Sequence, residues 1–204
     1  MTAASRPPLS VAGDGAIMVA TGSAGMDAMA VPAGGTAGDL DVAAVLERAR
    51  AMGFDGFGGR CGEAAVAINR VVFGGAGVLV GAFNAAFLEH DRLVGHVCVR
   101  VGDAHWDSDG WPKAPDEIES WGMLDTGDTD YIETAGELGI EWDDEAAGGV
   151  DFVGFDDEDE VLERFGRENL DGMVAKLERA VAMVRGEAAD DTDEQDAGPG
   201  LGMR

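Results

Sequence analysis

The chain is predicted to be an α+β protein, with a central cysteine-bearing helix packed on a small antiparallel sheet and flanked by further helices. Three observations predict this. Apolar residues recur at helical spacing before and after a central stretch. Within that stretch, Val78 to Phe83 reads as a strand and about 94–108 as a β-hairpin whose side chains alternate between faces. Gly102-Asp103 sits inside it, where a two-residue hairpin turn belongs. Helices, then strands, then helices again give the α+β order.

The elements follow in turn. Asp41 can cap a helix whose stripe is Val42, Val45, Leu46, Ala49 and Met52, stopped by Gly53. The loop FDGFGGR then leads to Cys61, after which Ala64, Ala65, Ile68, Val71 and Val72 return at helical spacing until Gly74 and Gly75. Val78 to Phe83 and Phe87 to Leu88 are expected as strands or a strand pair, and the hairpin covers about 94–108. Short helices are expected over 116–124 and 130–138, with Trp111, Trp121 and Trp142 around them. Val150 to Phe155 alternates like a strand, and the acidic run Asp156 to Glu160 suits the start of a helix, where negative charge meets the positive end of the dipole. Leu170, Val174, Leu177, Val181 and Val184 make an amphipathic helix. A single folded domain is expected over 39–186. The leader at 1–38, rich in Gly, Ala, Ser, Thr and Pro, and the acidic tail at 187–204 carry too little to bury and are expected to be flexible.

Charge narrows the classes. Forty acidic residues stand against 14 basic ones, for a formal net charge of −26, and only Lys113 and Lys176 are lysines. Such acidity resembles cytoplasmic proteins of extreme halophiles: at about 1 M salt the screening length falls to about 3 Å, so repulsion between carboxylates costs little and their hydration maintains solubility. No basic stripe exists to displace phosphate counterions, so nucleic acid is not expected as a partner. No apolar run approaches the roughly 18 residues of a membrane span, and no signal peptide is expected. Two cysteines in such a chain are expected as free thiols and are too few for a zinc site built from thiolates alone. No cofactor signature is present, and the sequence leaves the oligomeric state open.

The chemistry concentrates in Cys61 and in GHVCVRVGDAHWDSDG, which places His96 thirty-five residues after the cysteine. With Gly102-Asp103 as the turn, Val99 faces Trp106, Cys98 faces Asp107 and His96 faces Asp109. Side chains alternate between sheet faces, so His96, Cys98, Asp107 and Asp109 share one face, and either acid is within reach of the imidazole. Cys61 opens a helix behind Gly58, Gly59 and Arg60, where the dipole and free N–H groups favour a sulfur anion and the Cys61 N–H can help hold an oxyanion.

A cysteine opening a helix, followed by histidine and acid on later strands, resembles the papain-like and transglutaminase-like cysteine hydrolase superfamily. HVCVRVGDAHWDSDG is similar to the corresponding segment of its small members, several of them phage-related, and the likeness covers about residues 45–115. The resemblance implies a papain-like fold, Cys61 as nucleophile, His96 as general base, Asp107 as orienting acid with Asp109 as its substitute, and a peptide or protein substrate. The chain departs from the pattern at the oxyanion hole. No Gln, Asn or Trp suited to that role precedes Cys61, the one glutamine is Gln195, and Asn84 is the remaining candidate amide.

Other readings stay open. Cys61 can be a buried packing residue and His96 a hydrogen-bonded core-edge histidine, in a non-enzymatic structural or interaction protein of viral or proviral type that keeps the fold. Cys61 and Cys98 can form a redox pair if their Cα atoms lie within about 7 Å, and Cys61, His96 and an acid can hold a metal, at no recognised zinc spacing. Three short matches are decoys. Leu124-Asp125-Thr126-Gly127 repeats the aspartic-protease triplet once, in a setting that suits a capping turn. Asp107-Ser108-Asp109-Gly110 resembles a calcium loop but has Ile118 at the closing position. FDGFGGR lacks the lysine of a phosphate-binding loop.

Overall fold

The computed structural model describes residues 40–187. The expected leader and nearly all of the expected tail lie outside them. The first helix, α1 (Val42–Ala51), starts where Asp41 accepts from the Ala44 N–H, and it buries Val45, Leu46 and Ala49. The second, α2 (Cys61–Val71), has no side-chain cap, and every residue from Cys61 to Ile68 is buried. Then come β1 (Val78–Asn84), α3 (Ala85–Leu88), β2 (Gly95–Val101) and β3 (Ala104–Trp106). After them follow α4 (Pro115–Glu119), α5 (Thr129–Leu138), α6 (Asp144–Gly148), β4 (Val150–Gly154), α7 (Glu158–Phe165) and α8 (Leu170–Val184).

The four strands form one antiparallel sheet in the order β3-β2-β1-β4. In the hairpin Val99 pairs with Trp106, Arg100 with His105 and Val101 with Ala104, the register expected from the Gly102-Asp103 turn. β1 pairs Val80 with Cys98 and Ala82 with His96, which settles which residues share each face. Leu79, Phe83, Val97 and Val99 enter the main core with α1, α2, α7 and α8. Val80, Ala82 and Cys98 face the other way, under Ile118 of α4 and Val150. One sheet face therefore carries the helical layer. The opposite face carries the segment that follows the hairpin.

Two expectations need correction, and one element is new. Phe87 and Leu88 do not form a strand: the Asn84 Oδ1 accepts the Ala86 N–H, which turns the chain into one helical turn, and Phe87 buries fully against Tyr131 and Trp142. The helix expected over 116–124 stops at Glu119. Gly122 passes so close to the sheet that a Cβ there would lie 2.8 Å from a Val150 methyl and 3.1 Å from the Phe83 carbonyl carbon. Finally, α6 was not expected. It is five residues long, too short to show a period, and its evident signal is the Asp143 cap.

Gly62 is a close joint between α2 and α7, since a Cβ there would meet Phe165 at 2.6 Å. Replacing Gly62 with Ala is expected to cost about 1–3 kcal/mol, the usual range for overpacking, and urea denaturation would read this directly. An unchanged midpoint would show that α7 yields freely.

Candidate active site

Cys61 is the first residue of α2, and that helix lies in the middle of the helical layer, against α7, α8 and β2. The loop that delivers it is braced. The Asp55 carboxylate accepts the Phe57 N–H and pairs with Arg60, whose Nε donates to the Phe57 carbonyl. Gly58 and Gly59 take positive φ values of 67° and 83°, and nothing lies within 4 Å of where their side chains would be. The loop is therefore open at Gly58 and Gly59, while Cys61 itself, two residues on, is buried. The N–H groups of the first turn carry no side-chain cap, so they are free to meet negative charge arriving there.

His96 reaches the same place from β2. Its Nε2 lies 2.9 Å from Asp107 Oδ2, and the Cys61 side chain is close enough to act electrostatically on the imidazole. Nε2 is engaged by the carboxylate, and Nδ1 is the nitrogen not committed to it. The Trp121 ring stacks on the imidazole, with centroids 4.7 Å apart and planes inclined by 25°. Gly95, just before His96, admits no side chain, because a Cβ would stand 2.0 Å from the Ala82 carbonyl oxygen. The strand is thereby seated closely enough to aim the ring.

The acid is Asp107. Oδ2 faces His96, while Oδ1 accepts from Lys113 Nζ at 2.6 Å and from the Asp109 N–H at 2.8 Å. The expected opposition of His96 and Asp109 is corrected here. β3 ends at Trp106, and the bond from the Asp109 N–H back to Asp107 bends the chain out of the ladder. Asp109 therefore turns its carboxylate to Lys113, at 3.2 Å, and Asp107 reaches His96. Side-chain exposure is 8% for His96 and 4% for both Asp107 and Lys113, so these charges act on one another with little water between them.

Burial alone would push the His96 pKa down. The hydrogen bond to Asp107, with the interaction of the Cys61 side chain and the charge of Asp107, outweighs it and raises the pKa to about 9. For Asp107 burial acts upward, yet the bonds from His96, Lys113 and the Asp109 N–H bring it down to about 2. Cys98, two residues from His96 and fully buried, is pushed up to about 12 by burial and by the Asp107 charge, so it is a packing thiol.

Cys61, His96 and Asp107 thus come together, and Asp109 joins them through Lys113. Asn84 does not. It sits wholly buried, and its amide donates to the carbonyls of Ala146 and Ala147, so it has no donor free for an oxyanion. Both cysteines are free. Asp125 closes a turn by accepting the Gly127 N–H, and the acids of the apparent calcium loop already hold the Lys113 ammonium. Reading the sequence missed Lys113 and Trp121. Lys113 had a visible signal: it is one of two lysines and stands four residues after Asp109. Trp121 had none, because its stacking depends on the Gly122 crossing.

No protein-family model, no curated protein and no solved structure matches this chain.

The His96–Asp107 pair makes stability depend on pH in two directions. The raised His96 pKa contributes stability that is complete below about pH 6.5 and is lost as pH rises through about 9. The lowered Asp107 pKa contributes stability present above about pH 3.8 and lost as pH falls through about 2. The pair's full contribution is expected between about pH 4 and 6.5. Urea unfolding from pH 5 to 10 should show a decline on the alkaline side that Asp107→Asn largely removes. Parallel profiles for the two proteins would refute the coupling.

Proposed function

We propose that this protein is a small cysteine hydrolase or acyltransferase of papain-like or transglutaminase-like type, acting on a peptide or protein substrate. One observation carries the reading: a single imidazole paired with a buried carboxylate and within electrostatic reach of the cysteine that opens α2. In the proposed reaction the thiol proton of Cys61 is held on His96, whose raised pKa keeps the imidazole protonated at neutral pH, and the sulfur attacks a carbonyl carbon of the substrate. The oxyanion meets the N–H of Cys61 and its neighbours in the first turn of α2. His96 returns the proton to the leaving group, leaving a thioester on Cys61 that water or an amine resolves. Asp107 keeps the imidazole in the required tautomer and orientation. Phe57 and Trp121, exposed with ring centroids 6.3 Å apart, supply apolar walls beside the nucleophile. The acidic composition supports a cytoplasmic setting at high salt.

A second reading, a non-catalytic interaction protein of viral or proviral type, draws on the amides. The three asparagines of the chain are Asn69, Asn84 and Asn169, and each amide nitrogen already donates within the fold. An oxyanion here would depend on main-chain donors alone. The same aromatic walls would then serve binding.

Iodoacetamide separates the two. In the folded protein at pH 7 it is expected to alkylate Cys61 and leave Cys98 untouched, and His96→Ala should slow that alkylation at least about tenfold. On an activated acyl ester, Cys61→Ala should abolish turnover with folding intact, and Asp107→Ala should lower it by about 10²–10⁴-fold. A folded protein whose Cys61 resists the reagent would rule out the enzyme.

A further inference from the structure

Lys113 is the most costly side chain near the site that the proposed reaction leaves unused. A buried ion pair is often no more stabilising than apolar residues of the same volume, so a lysine kept here asks for a reason beyond stability. Its Nζ lies 2.6 Å from Asp107 Oδ1, 3.2 Å from Asp109 Oδ2 and 4.6 Å from the centre of the Trp111 ring. Its backbone is fixed as well, since its N–H donates to the His105 carbonyl and its carbonyl accepts the His105 N–H. Both ends of the residue are therefore tied to the edge of β3. The ammonium and the Asp109 N–H together occupy Oδ1, which leaves Oδ2 as the oxygen for His96.

We propose that Lys113 is a positioning residue for the Cys61–His96–Asp107 site: its ammonium locks the Asp107 carboxylate in one rotation and sets how much of that negative charge reaches the imidazole. The proposal rests on the catalytic reading given above. Asp109 acts from behind by drawing part of the ammonium's charge to itself. The charged and titratable groups around His96 are Cys98 and Arg100 on its own strand, Asp107, Asp109 and Lys113 after the hairpin, and Cys61 on α2. Trp121 brings no charge to the other side of the ring.

Two substitutions in the full chain move the imidazole in opposite directions. Lys113→Met removes a positive charge from behind Asp107, so His96 should bind its proton about tenfold more tightly. Asp109→Asn removes a negative charge and leaves the ammonium wholly to Asp107, so His96 should bind its proton more weakly. NMR titration of the His96 ring reads both. The alkaline limb of Cys61 alkylation by iodoacetamide should follow, to higher pH in the first variant and lower pH in the second. A lysine that only holds the loop together predicts the contrary for Lys113→Met: the carboxylate drifts from the ring, and the His96 pKa falls toward its ordinary value. That fall, or an unmoved titration in both variants, overturns the proposal. If Lys113→Met does not fold, Asp109→Asn still decides by the sign of its shift. Should Cys61 prove unreactive in the parent chain while His96 moves as described, the clamp stands and the catalytic reading alone fails.

Discussion

Everything at the site hangs on the pairing register of β2. Alternation along this strand sends Val97 and Val99 into the main core and His96 and Cys98 to the opposite face. A slip of one residue would exchange the two sets, placing an imidazole among the aliphatic side chains of the main core and valines beside Asp107. The hydrophobic effect therefore fixes a polar geometry that it does not itself contain. β1 reinforces the choice, because Gly81 opposes Val97 and Gly95 lies against the Ala82 carbonyl, where no side chain fits. The helical layer supplies the other half of the constraint. Since α2 is buried along nearly its whole length, its first residue cannot move without disturbing α7 and α8.

Upon that frame sits a compact electrostatic arrangement. Imidazole, carboxylate, ammonium and second carboxylate follow one another within hydrogen-bonding distance, each almost out of water. A chain so rich in acids has little difficulty surrounding a histidine with negative charge. Restraining that charge is harder, and Lys113 meets the need locally, with Asp107 between it and the ring. The surface elsewhere works differently. Exposed pairs such as Arg70 with Glu158 join α2 to α7, and screening by salt leaves them small individual effects.

How legible was this from the sequence? The hairpin was readable because a two-residue turn and strict alternation leave one register, and the amphipathic helices α1, α2 and α8 were readable from their stripes. The sharing of one face by His96 and Asp107 followed from that register, whereas the choice of Cys61 came from its place at a helix start and from the family resemblance. Which acid meets the imidazole did not follow. It depends on where the ladder ends, and a backbone bond from Asp109 to the Asp107 side chain decides that. Asn84 was misjudged for a similar reason: an asparagine at a strand end serves as a helix cap as readily as a catalytic donor, and its acceptors Ala146 and Ala147 lie more than sixty residues on. Short elements such as α3 and α6 escape because a single turn carries no period.

The stacking of Trp121 on His96 reaches beyond packing. An indole held face to face with an imidazole senses whether that ring carries a proton, since imidazolium quenches indole emission far more than neutral imidazole does. At 4.7 Å between ring centres the two are close enough for this. The molecule therefore holds one of its four tryptophans in contact with the ionisable ring at its centre, and with the other three replaced by Phe its emission would follow that ring's proton.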